Sequence, residues 1–131
     1  MVSGSGYNVL VVDDEQFILD SLTGFLEDFE FNVSRADSAE AAINLLEEAK
    51  IDVVIVDLRL PGMSGDILIQ KIHNLYPNIR FVIHTGSVGY VLSDELKAIG
   101  MKTENVFFKP VPDLTILVDS VLALVEKKTD N

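Results

Sequence analysis

Apolar positions along the chain fall into two alternating spacings. Short apolar or β-branched runs, bounded by polar or turn-forming residues, recur at roughly 8–12, 32–36, 52–57, 80–84 and 105–108, which predicts strands. Between them apolar residues return every three or four positions, the helical period. The first helical stretch starts near Glu15 and carries Ile18, Leu22, Phe25, Leu26 and Phe29. The second begins after Asp37, with Glu40 three residues on as a capping pair, and its stripe is Ile43, Leu46 and Ala49. The third follows Gly65, offers Leu68, Ile72 and Leu75 for burial and ends before Pro77. A fourth, near 90–99, is weakened by Gly89 and Ser93 and stopped by Gly100. The fifth runs from Asp113 to about Lys127.

Strict alternation of strand and helix implies βαβ units, and hence an α/β fold with a parallel sheet covered by helices on both faces. The central strands read as continuous apolar runs, as strands covered on both sides do. The chain of 131 residues suits one domain. Residues 7–127 form that domain in this reading. Residues 1–6, rich in Gly and Ser, read as a flexible leader, and 128–131 as a polar tail or truncated linker.

Composition narrows the function classes. No cysteine is present, so disulfides and thiolate metal sites are excluded. The formal net charge of −11 argues against direct nucleic-acid binding by this domain, which needs clustered Lys and Arg. It suits a protein that holds a cation or meets a basic partner. No apolar run approaches the length of a membrane helix and no secretory signal is visible. Cytoplasmic residence is the simplest expectation.

The chemistry collects where the strands end. Val9 to Val12 deliver Asp13 and Asp14. Val53 to Val56 deliver Asp57, followed by Leu58-Arg59-Leu60-Pro61-Gly62-Met63-Ser64-Gly65. Phe81 to His84 deliver Thr85, and Val106 to Phe108 deliver Lys109-Pro110. α/β sheets place their sites at these C-terminal strand edges. Three carboxylates there repel one another unless a cation relieves them. With only oxygen donors on offer, a hard cation such as Mg²⁺ is expected. Taken alone, Asp14 could instead cap the first helix. Glu15 reads as a first-turn acid favoured by the helix dipole.

In order and spacing, the acid pair, the Asp before the Pro-Gly loop, the Thr and the Lys-Pro step resemble the receiver domain of two-component response regulators, over roughly residues 7 to 127. The resemblance implies a flavodoxin-like, doubly wound five-stranded sheet of order 2-1-3-4-5 with five helices. It implies Asp57 as phospho-acceptor, with Thr85 and Lys109 serving the phosphoryl group. It implies Mg²⁺ held by Asp14, Asp57 and the backbone carbonyl of Arg59, with Asp13 acting through a metal-bound water. The phosphoryl group would come from a histidine kinase or a phosphotransfer protein, and a cis Lys109–Pro110 peptide is expected. Such a domain catalyses only its own phosphorylation and dephosphorylation.

Two features depart from the family pattern. Position 106, three before the lysine, is commonly aromatic and here is Val106, with Phe107 and Phe108 beside it. Strand alternation sets Val106 and Phe108 on one face and Phe107 on the other. The connection Met101-Lys102-Thr103-Glu104 is longer than usual. His84 and His73 have no partner at metal-ligand spacing. His84 reads as a satisfied or half-exposed strand residue, or as a neighbour that tunes Thr85.

Two other functions compete. An Mg²⁺-dependent phosphohydrolase working through an aspartyl-phosphate usually carries a second Asp two residues after the nucleophile, where this chain has Arg59, which cannot donate a proton. A flavodoxin-like cofactor binder needs a phosphate loop after the first strand, where Asp13-Asp14-Glu15 would repel phosphate. Along the fifth helix, Leu114, Leu117, Val118, Val121, Leu122, Leu124 and Val125 span an arc wider than sheet packing needs, and Ile116 lies outside it. The resemblance implies that the face of helix four, strand five and helix five is where phosphorylation changes binding. With this apolar excess, that face is expected to form a homodimer or dock a partner more strongly once phosphorylated, unless the 100–104 connection folds over it.

Overall fold

The computed structural model describes residues 3–129. Five parallel strands pair in the order β2-β1-β3-β4-β5. They are β1 (Asn8–Val12), β2 (Asn32–Ala36), β3 (Val53–Val56), β4 (Arg80–Thr85) and β5 (Val106–Phe108). The helices are α1 (Gln16–Asp28), α2 (Ala39–Leu46), α3 (Gly65–Leu75), α4 (Asp94–Ala98) and α5 (Thr115–Thr129). The expected sheet order and class both hold.

Alternation along the strands separates two cores. Leu10, Val12, Val54, Val56, Phe81 and Ile83 face α2, α3 and α4. Val9, Val11, Val53, Ile55 and Val82 face α1 and α5. Covered on both faces, these residues are at most 3% exposed, which is why β1, β3 and β4 read as unbroken apolar runs. Val106 joins the first core and Phe107 the second, as alternation requires.

Helix starts differ from the sequence reading for one repeated reason. Ser38, Ser64 and Ser93 are the N-caps of α2, α3 and α4, each accepting a backbone N–H three residues on. The second helix is thus capped by Ser38, not by an Asp37–Glu40 pair. Ser93 begins the fourth helix rather than weakening it. Because that cap lies so late, α4 has only five residues. Ser38→Ala is expected to cost about 1 kcal/mol of stability, measured by urea unfolding; an unchanged midpoint would show that the cap contributes nothing. Leu75, expected in the core, is the last residue of α3 and 60% exposed.

The supposed leader is held from Ser3 onward. The Gly4 N–H donates to the Phe29 carbonyl and the Ser3 hydroxyl to Glu30. Gly4 rests on the Phe31 ring, with no room for a Cβ. Residues 1, 2, 130 and 131 lie outside the described residues, and the α5 backbone continues through Thr129. The 101–105 connection closes as a 3-10 turn, Thr103–Asn105, in which the buried Asn105 side chain accepts the Lys102 N–H.

Candidate phospho-acceptor site

The parallel register carries one row of residues to the sheet's C-terminal edge. Val12 pairs with Val56 and Val56 with Ile83, so the next residues, Asp13, Asp57 and His84, stand side by side. His84 in turn pairs with Phe107. Burial closes the row from below: Asp13 is 1% and Asp57 5% exposed.

Lys109 ties this row together. Its Nζ donates to Asp13 Oδ2 at 2.8 Å, to Glu15 Oε2 at 3.1 Å and to Asp57 Oδ2 at 3.1 Å. Three N–H donors meet three carboxylates, which saturates the ammonium. Burial alone would lower the Lys109 pKa, but the bonds to Asp13, Glu15 and Asp57 outweigh it and hold the ammonium above its usual range. Asp13 moves upward: burial outweighs its bonds from Lys109 and from the Glu15 N–H. The Lys109–Pro110 peptide is cis, and the Lys109 N–H donates to the Thr85 carbonyl at 2.8 Å.

The remaining site residues take different places. Asp14 is exposed and makes no hydrogen bond or ion pair among the described residues, so it does not cap α1. It shares an open cleft with Arg59, Pro61 and Met63. The Arg59 N–H donates to Asp57 Oδ1 at 3.3 Å, while its side chain donates to the Ser87 hydroxyl at 3.2 Å. Thr85 is fully buried, and its hydroxyl accepts the Ser87 N–H at 3.2 Å. It stands at the rim of the cluster without bonding to an acid.

Two expectations need correcting. Glu15 occupies the N-cap position of α1 without capping it, and its carboxylate serves Lys109, a contact between residues 94 apart. His84 is neither satisfied nor half-exposed. It is 4% exposed, and its Nδ1 is sealed off with no hydrogen-bond partner among the described residues. Burial, helped by the Lys109 ammonium, pushes the imidazole down to about 4.

Gly65 is a site residue that sequence reading passed over as part of a loop. A Cβ there would collide with the Asp57 carbonyl oxygen and lie 2.9 Å from Leu58 Cα. The first turn of α3 therefore presses directly on the backbone that carries Asp57. The only signal in the sequence was a Gly after the Ser64 cap.

Oxygen atoms of Asp13, Asp14 and Asp57 lie within 4.8 Å of one another. This all-oxygen, partly solvated donor set fits a hard divalent cation.

A family model for the response regulator receiver domain matches residues 9–121. The chain belongs to that family. Phosphorylation-driven switching is the family's general function, and its members bind Mg²⁺ at an acidic pocket and interact with histidine kinases. Among its relatives is the heme response regulator HssR of Staphylococcus epidermidis, 30% identical over 95% of this chain and 55% of that protein. The chain spans between 34% and 55% of the length of curated relatives that it matches. The fold is shared with the response regulator TrrA of Thermotoga maritima in complex with Mg²⁺ and beryllofluoride (TM-score 0.78, 23% identity, 90% of this chain and 98% of that one). It is also shared with the beryllofluoride-activated NtrC4 receiver domain dimer (TM-score 0.81, 23% identity, 93% and 98%). No helix among the described residues of this receiver domain is long and apolar enough to cross a membrane.

Proposed function

We propose that Asp57 accepts a phosphoryl group from the phosphohistidine of a histidine kinase or phosphotransfer protein, and that the acyl phosphate switches a partner-binding surface. The supporting observation is the junction of Lys109 with Asp13 and Asp57 at the sheet edge. A carboxylate oxygen of Asp57 attacks phosphorus, the P–N bond breaks, and the imidazole leaves with the proton it already carries on its other nitrogen. Lys109, next to the attacking oxygen, neutralises charge on the phosphoryl oxygens. The Thr85 hydroxyl, one strand away, turns from the Ser87 N–H to bond a phosphoryl oxygen. Asp14, Asp57 and the Arg59 carbonyl would hold Mg²⁺, with Asp13 reaching it through a water. The ion would supply charge neutralisation between the carboxylates and the incoming phosphoryl group.

The phosphohydrolase alternative gains nothing from the geometry, since the position that would need an acid holds Arg59, engaged with Ser87. We read the domain as cytoplasmic and as catalysing only its own phosphorylation and dephosphorylation. Ile116 is 49% and Phe108 41% exposed, which supports the α4–β5–α5 face as the switched surface for a homodimer or another partner. The 3-10 connection borders a cleft with Leu124, farther along α5, and leaves Ile116 uncovered.

Incubation with acetyl phosphate and Mg²⁺ is expected to add one phosphoryl group, read by intact mass. Asp57→Asn is expected to add none, and Asp14→Ala or removal of Mg²⁺ to suppress labelling. Equal labelling of Asp57→Asn and the parent would overturn the assignment.

A further inference from the structure

The proposed switch leaves one buried polar group without a role. His84 lies between Asp57 and Phe107 in the register of the sheet. The alternation that puts Val82 in the α1/α5 core puts His84 on the same side. At this position a Val or Ile would continue the apolar run at no polar cost. The imidazole instead buries Nδ1 with no partner among the described residues, a burial that disfavours the resting fold.

Lys109 sits beyond β5, yet its ammonium reaches carboxylates carried past the ends of β1 and β3. Its stem therefore crosses the end of β4, the strand that carries His84. In the present state all three of its N–H donors are taken by carboxylates. A phosphoryl group on Asp57 changes that arrangement, because the ammonium must then turn from a carboxylate to a bulkier tetrahedral anion.

We propose that His84 is a positioning residue for the loaded state: its sealed Nδ1 accepts a hydrogen bond from Lys109 once the ammonium has re-aimed toward a phosphoryl group on Asp57. The inference rests on the reading of Asp57 as acceptor. The resting fold carries an unfilled acceptor, and loading fills it. That bond exists in only one of the two states, and only such a differential contact shifts a conformational equilibrium. A neutral imidazole has one ring nitrogen free to accept, and here the sealed nitrogen is Nδ1.

Beryllofluoride with Mg²⁺ is the probe, applied to the full 131-residue chain. Only His73 and His84 contribute imidazole signals, so ¹⁵N-labelled histidine reports on each separately. On loading, the unprotonated-nitrogen signal of His84 is expected to move toward its hydrogen-bonded position, with His73 unchanged. His84→Leu, which fills the site without a polar atom, is expected to unfold at higher temperature than the parent in the resting state. It is also expected to bind beryllofluoride roughly 2- to 10-fold more weakly, the size of one net hydrogen bond. His84→Gln, which keeps an acceptor, is expected to recover most of that affinity. A merely structural histidine predicts the opposite sign for stability and no change in affinity. If His84→Leu binds as the parent does, the proposal fails. Should the Leu variant not fold, an unchanged His84 spectrum in the loaded parent sinks the proposal equally. A parent that binds no beryllofluoride removes the Asp57 reading and this one with it, whereas a parent that binds with an unaltered imidazole removes this one alone.

Discussion

Lys109→Met is expected to lower the unfolding free energy by about 3 kcal/mol near neutral pH in a divalent-free buffer. Methionine keeps most of the apolar stem and removes the ammonium. What it leaves behind decides the size: Asp13 and Asp57, 1% and 5% exposed, facing each other with no counter-charge. Glu15 adds little, because its side chain is 60% exposed and solvent screens it.

The pH dependence separates this account from simple loss of packing. Asp13 is already held above its ordinary value of 3.8, by burial first, and loss of the ammonium raises it further. A carboxylate whose folded-state pKa is raised binds its proton more tightly folded than unfolded. It therefore reduces stability as pH climbs from 3.8 through the folded value, and by a constant amount above that. Lys109 has the other sign. Its raised pKa gives stability that is full below 10.5 and lost only as pH rises through the higher folded value. The gap between parent and variant should thus be small in acid, open above about pH 4 and stay open through neutrality. Saturating Mg²⁺ should narrow it at neutral pH by supplying the missing positive charge. Urea titrations followed by circular dichroism, with EDTA and with Mg²⁺, measure all three conditions. A loss of the same size in acid and at neutrality would show that the lysine stem, not its charge, stabilises the site.

Such charge placement is only partly legible in one dimension. Strand ends could be read because β1, β3 and β4 are covered on both faces and their apolar runs stop abruptly at polar residues. The positions of Asp13, Asp57 and Thr85 at one sheet edge follow from that, and Lys109 joins them at the end of the short apolar run of β5. What was not legible depends on contacts distant in sequence. Glu15 looks like a first-turn acid until Lys109 arrives from 94 residues away. His84 looks like a strand residue with ordinary satisfaction until sheet pairing seals it between Asp57 and Phe107. Serine caps were not legible for a local reason: Ser stands within two residues of an Asp at the starts of α2, α3 and α4, and both are strong cap residues. The same ambiguity at Ser93 hid how short α4 is.

Gly65→Ala is the second large effect expected, and it separates backbone crowding from helix propensity. In an open helix position, Gly→Ala stabilises by up to about 1 kcal/mol. Gly24, inside α1 with nothing within 4 Å of its would-be Cβ, should behave that way. Gly65 should not. Its Cβ would enter the Asp57 carbonyl, a backbone atom that cannot swing aside. The Gly65 N–H also donates to the Leu58 carbonyl at 2.8 Å, so α3 cannot retreat without breaking that bond. Overpacking of this kind costs about 1–3 kcal/mol, enough to outweigh the gain in propensity. The larger consequence falls on chemistry. If α3 yields, the Asp57 backbone yields with it, and a displacement of about 1 Å at a reacting group can slow a reaction by roughly 100-fold. Gly65→Ala is therefore expected to lower the urea midpoint and to slow labelling by acetyl phosphate at least about tenfold. Gly24→Ala is expected to raise the midpoint and label at the parent rate. Labelling of Gly65→Ala at the parent rate would show that the contact between α3 and Asp57 is loose enough to admit a methyl group, and that the site does not depend on it.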